Sequence, residues 1–178
     1  MNGYVRFELT PTGELEMQMV RGLAQAIDRY ANELREVVEH GGSTSSDVHA
    51  RLFPRAYVDP TEDRAELAWQ LEAHGELVSR RLAQLELLTS TLDRGGVADP
   101  VRVVLSPEEV EAWLGVINDL RLALGVTLEI TADTDLDAIP LHDPRRGSAD
   151  LYEILGYVQA TLLHALMGDD FEDLEDDE

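Results

Sequence analysis

Four stretches of the chain place apolar residues three or four positions apart. On a helix of about 3.6 residues per turn this spacing gathers them on one side, so each stretch must bury a stripe against something. Leu15, Met19, Leu23, Ile27, Tyr30, Leu34 and Val37 form the first stripe; Leu67, Leu71, Val78, Leu82, Leu85 and Leu92 form the second. Trp113, Ile117, Leu120, Leu124 and Leu128 form the third; Leu151, Ile154, Leu155, Val158, Leu162 and Leu166 form the fourth. The simplest body that buries them together is a mainly α domain, a bundle of four main helices.

Local signals set the expected boundaries. Residues 4–9 alternate in polarity and are rich in aromatic and β-branched side chains, which predicts a strand. Thr10-Pro11 reads as a hydroxyl cap with Pro at the first helical position, giving a helix over 11–40 closed by Gly41-Gly42, about 45 Å long. A short helix over 47–53 is stopped by Pro54. Asp59 and Glu62 have capping-box spacing at the start of a helix that runs to Gly95-Gly96, mildly weakened by Gly75. Val101–Leu105 predicts a second strand, and Ser106-Pro107 with Glu109 starts a helix ending near Ile130. Residues 131–148 read as a surface connection, with Ser148 capping a last helix over 149–167. The expected fold is therefore four main helices plus one short helix, with the two strands paired as a small ribbon against them. Residues 1–168 form one domain in this reading. Eight of residues 169–178 are acidic, which predicts a disordered tail.

Charge narrows function. Thirty-six acids face fourteen basic residues, all Arg, for a net charge of −22, and without the terminal acids the body still has twice as many acids as arginines. The absence of Lys excludes a Walker-type phosphate loop and Schiff-base chemistry within these residues. The absence of Cys excludes disulfides, thiolate nucleophiles and thiolate metal sites. Nucleic-acid binders draw affinity from basic faces, so strong direct binding is not expected. Arg6, Glu8, Glu14 and Glu16 interrupt any leader-like run, and no stretch is apolar for the length of a membrane span, so a cytoplasmic location is expected.

No constellation points to catalysis, and no cofactor is expected. Asp133, Asp135 and Asp137 fit the first positions of a calcium loop, but Ala138 stands where the turn glycine belongs and Pro144 where the bidentate Glu belongs. The five histidines are scattered and lack zinc spacing. A helix-turn-helix made of the helix over 47–53, a turn and the helix from Pro60 would open its reading helix with Asp59, Glu62, Asp63 and Glu66, which phosphates repel. Arg80-Arg81 and Arg145-Arg146 read as salt-bridged surface.

Two segments are denser in chemistry. Arg51-Leu52-Phe53-Pro54-Arg55-Ala56-Tyr57 mixes arginine with aromatic rings, as interfaces do, and makes Arg51, Arg55 and Tyr57 candidate partner contacts. Its plainer reading is a loop pinned to the core by Phe53 and Tyr57. Residues 113–125 embed Asn118, Asp119 and Arg121 in an apolar run behind Trp113, which reads as a structural motif with an internal hydrogen-bonded network. With both landmarks and the order of its elements, the chain resembles the AosR-like oxidative-stress regulators of actinomycetes over nearly its full length. The resemblance implies a non-enzymatic transcription regulator that works through protein contacts, with a sigma factor of RNA polymerase as partner. Thiol redox sensing cannot operate in this Cys-free sequence. Direct DNA binding by a homodimer is the first alternative, and a carboxylate-based metal-dependent hydrolase using Asp133, Asp135 and Asp137 is the second.

Overall fold

A computed structural model describes residues 3–41, 46–57 and 59–167. The expected acidic tail lies outside these residues. Elements run β1 (Val5–Leu9), β2 (Leu15–Met19), α1 (Arg21–His40), α2 (Ser46–Leu52), a 3-10 turn over Pro60–Glu62, α3 (Asp63–Gly95), β3 (Val101–Leu105), α4 (Pro107–Thr127) and α5 (Arg146–Met167). The chain is mainly helical, as expected, but the β element differs. It is a three-stranded antiparallel sheet in the order β1-β2-β3, with Val5, Met19 and Val101 in one register row and Leu9, Leu15 and Leu105 in another.

The third strand arises where a helix was expected. Leu15 and Met19 are four apart, a spacing that suits one face of a helix and equally one face of a strand. Met17 between them is fully buried with Met19, which only a two-residue period allows. Thr10-Pro11 opens a hairpin turn instead of a helix: Thr10 N–H donates to Glu14 O at 2.7 Å, Gly13 N–H donates to Thr10 O at 2.9 Å, and Gly13 takes φ 81°. That left-handed geometry is open to glycine at no steric cost. Helix α1 is accordingly 20 residues and about 30 Å long. It ends as expected at Gly41, which is left-handed at φ 59°.

Helix α3, with 33 residues, is the long member at about 50 Å. Its lower half buries Leu85, Leu88 and Leu92, whereas Leu67 and Leu71, on the same stripe, are exposed. The helix outruns the body that covers it. At its start Asp59 accepts from the Thr61 amide at 2.9 Å, but the return bond expected from Glu62 is not among the described hydrogen bonds. The full capping box forms at Ser106 and Glu109, before α4. Ser148 does not cap the last helix, which begins two residues earlier; its hydroxyl lies 3.2 Å from the Tyr30 hydroxyl on α1.

The core lies between the sheet's inner face (Val5, Phe7, Leu15, Met17, Met19, Val101, Val103 and Leu105) and the helices. Helix α4 is its axis, packed on α2, α3 and α5, while α5 also covers β1. Trp113 on α4 is fully buried, and its Nε1 donates to the Thr91 hydroxyl on α3 at 2.8 Å. Burying each such side chain stabilises the fold by about 1.5–3 kcal/mol.

Candidate functional site

The segment after α2 is bound to α3 at both ends. Phe53 is buried and shares a cluster with His49 and His74, at ring distances of 4.7 and 5.0 Å. The Arg81 guanidinium stacks 4.9 Å above the Phe53 ring. Burial, followed by the neighbouring His74, lowers the pKa of His49. Further along, Ala56 and Tyr57 donate their amides to Glu66 Oε2 at 3.0 and 2.9 Å, while Gln70 donates to Glu66 Oε1 at 2.7 Å. These bonds, Gln70's first, hold the Glu66 carboxyl below its ordinary range.

Of the candidate partner contacts, Arg55 donates to Asp63 at 2.6 Å and is already paired. Tyr57 is held by its backbone and leaves its ring about one-third exposed, so Phe53 pins the loop and Tyr57 does not. Arg51 is exposed, with no partner among the described residues, and borders a hollow of about 420 Å³ with Arg121, Glu129 and Tyr152. Arg55 and Tyr57 are thus both held at the start of α3, by Asp63 and Glu66, while Arg51 borders the hollow beside Arg121 and Tyr152.

Within the motif around Trp113, Asp119 and Arg121 each reach a neighbouring helix. Arg81 Nε lies 3.0 Å from Asp119 Oδ2, joining α3 to α4. Burial raises the Asp119 pKa, and Arg81 opposes that rise. Arg121 donates to Gln159 at 2.8 Å and lies 5.1 Å from the Tyr152 ring centre, joining α4 to α5. Asn118 borders a small hollow with Arg80 and Gln84. Asp119 and Arg121 therefore each tie α4 to a neighbouring helix, giving partners to groups that are costly to bury alone, whereas Asn118 is exposed and makes no such link among the described residues.

The remaining basic pairs divide. Arg81, Arg145 and Arg146 hold Asp119, Asp143 and Asp150, while Arg80 has no carboxylate partner among the described residues. Arg145 brings the Asp143 pKa down to about 2. Asp133, Asp135 and Asp137 are exposed, and Asp135 accepts the Asp137 amide at 3.1 Å. Among the described residues no group of three or more His, Asp or Glu could hold a metal ion, and no helix is long and apolar enough to cross a membrane.

A larger concavity than these two hollows lies elsewhere, at the end of the sheet, and sequence reasoning missed it. A groove of about 950 Å³ is lined by Leu9, Leu15, Val104, Leu105, Leu114 and Leu166, with Glu14, Glu109 and Glu111 around it. Leu9 is 53%, Val104 46% and Leu166 42% exposed, so the stripe of α5 does not bury Leu166 as expected. Glu109 is occupied by Arg94, which also donates to Val104 O at 3.1 Å. Glu14 and Glu111 have no basic partner among the described residues. Val104 was the available signal: an apolar side chain at an outward position, beside Arg102, in an alternating strand.

A mainly helical, strongly acidic chain with a three-stranded sheet and an open apolar groove is the class of protein this geometry defines. The chain belongs to the family described as a domain of unknown function, DUF2017, whose model matches residues 5–166. It is also 36% identical over 90 residues to the oxidative stress regulator AosR of Mycobacterium tuberculosis, and likewise to that of Mycobacterium bovis. The match covers 51% of this chain and 38% of each relative, so it spans well under half the length of those regulators. No solved structure matches the chain.

Proposed function

We propose that this chain is a non-enzymatic regulator of the oxidative-stress response, working in the cytoplasm through contacts with a transcription protein such as a sigma factor. The acid-flanked apolar groove carries this reading, because contiguous exposed apolar surface marks interaction sites and an acidic field favours encounter with basic proteins. The regulators it resembles give the reading its biological setting. Direct DNA recognition is less favoured: Arg6, Arg35, Arg55, Arg81, Arg94, Arg145 and Arg146 hold carboxylates on several elements, which leaves them poor at neutralising phosphates.

Affinity capture of the tagged chain from native lysate, together with deletion of its gene, tests this. Recovery of an RNA polymerase component and altered stress-gene expression are expected. Recovery of no transcription component, with expression unchanged, would contradict it. A salt-titrated DNA shift assay and metal analysis after dialysis address the two alternatives.

A further inference from the structure

We propose that the groove between the sheet end, the start of α4 and the end of α5 receives a segment of a partner protein that is apolar on one side and bears Arg or Lys at its edges. The inference rests on the protein-contact reading above and specifies its chemistry.

Leu9 and Leu15 come from the β1–β2 hairpin, Val104 from β3, Leu114 from α4 and Leu166 from α5, so five elements supply one apolar floor. Leu163 and Met167, also exposed, continue the apolar surface of α5 next to Leu166 in sequence. The flanks are carboxylates. Arg94, the one arginine in the lining, is engaged with Glu109, whereas Glu14 and Glu111 are exposed and have no cation among the described residues. From Met167 the sequence continues into eight acids over residues 169–178.

An occupant must therefore match an apolar floor and supply positive charge at its margins. A second copy of this chain supplies the wrong sign, with a net charge of −22 and no lysine. Nucleic acid has the wrong sign too. An amphipathic basic segment fits both demands: its apolar side fills the groove, and its cations meet carboxylates that nothing in the described chain neutralises.

Fluorescence anisotropy with the purified full chain tests this. The probe is a synthetic peptide with Leu at three- and four-residue spacing and Arg on its flanks; the controls are a scrambled peptide of identical composition and one with Arg replaced by Glu. Saturable binding is expected, about tenfold or more tighter than for the scrambled peptide, and absent for the acidic one. L166D should weaken binding about tenfold, and E14Q/E111Q should weaken it several-fold while flattening its salt dependence. These positions are exposed, so the variants should keep the native circular dichroism spectrum. Equal binding of the scrambled peptide, or wild-type affinity in both variants, would overturn the groove assignment. If lysate capture still recovers a transcription component, the groove is wrong and the regulatory reading stands. If the peptide docks as described but deletion leaves stress expression unchanged, the reverse holds.

Discussion

Asp99 Oδ1 accepts the backbone N–H of Arg21 at 3.1 Å across 78 positions of sequence. It supplies the start of α1 with a cap that its own N-cap residue, Val20, has no side chain to provide. Arg21 reinforces the junction by donating to Val97 O at 2.8 Å. Asp99→Ala should lower stability by about 1 kcal/mol in urea unfolding, with Asp99→Asn losing less because the amide oxygen still accepts. An unchanged midpoint in the alanine variant would mean that the cap is energetically idle.

The Trp113 indole and the Thr91 hydroxyl are buried together, and the Thr91 hydroxyl in turn donates a hydrogen bond to Leu88 O at 2.7 Å. Thr91→Val preserves shape but leaves the indole N–H without a partner, at an expected cost of about 1–3 kcal/mol. Thr91→Ser keeps the acceptor and should lose less. The order of the two urea midpoints is the check.

Two helical glycines should respond in opposite directions. A Cβ on Gly95 would overlap the Val101 side chain and press Val103 Cγ2 at 3.1 Å, so Gly95→Ala should destabilise by about 1–3 kcal/mol through overpacking. A Cβ on Gly75 meets nothing within 4 Å, and Gly75→Ala should stabilise α3 by about 0.5–1 kcal/mol. Thermal melts of the two variants separate close packing from helix propensity.

Acid should weaken the start of α4. Arg94, aided by the Ser106 amide, holds the Glu109 carboxyl below its ordinary range, against opposing burial. A carboxyl whose pKa is lowered by folding stabilises above its unfolded pKa, and the benefit is lost as pH falls through the folded value. Urea midpoints measured from about pH 6 to 3 should fall for the wild type and fall less for Glu109→Gln. At neutral pH that variant should be about 1 kcal/mol less stable, allowing for the half-exposed Arg94. Parallel pH curves would contradict the assignment.

Much of this was legible in the sequence, for reasons particular residues make clear. Ser106-Pro107 and Glu109 form a complete local signal, and the capping box appears where expected. The similar Thr10-Pro11 lacks a Glu three residues after Thr10, and Gly13 completes a turn instead. The true start of α1 had no local signal, because its cap comes from Asp99. Leu15 and Met19 misled because a spacing of four serves helix and strand alike. The polar residues around Trp113 raised the right question, since buried polar groups need partners, but Asp119 and Arg121 make separate links to α3 and α5 and Asn118 faces outward. The groove was not, because its floor combines residues from five elements, and Leu166 looks like an ordinary core position until the end of its helix is placed beside the hairpin.

Binding of the purified full chain to RNA polymerase core, to sigma-bearing holoenzyme and to promoter DNA, compared on one immobilised surface over a salt series, tests the regulatory reading most directly. The expected result is saturable, salt-sensitive binding to a sigma-bearing component that falls about tenfold in L166D, with none to DNA alone. Tight binding to bare DNA, or no binding to any polymerase component, would contradict it.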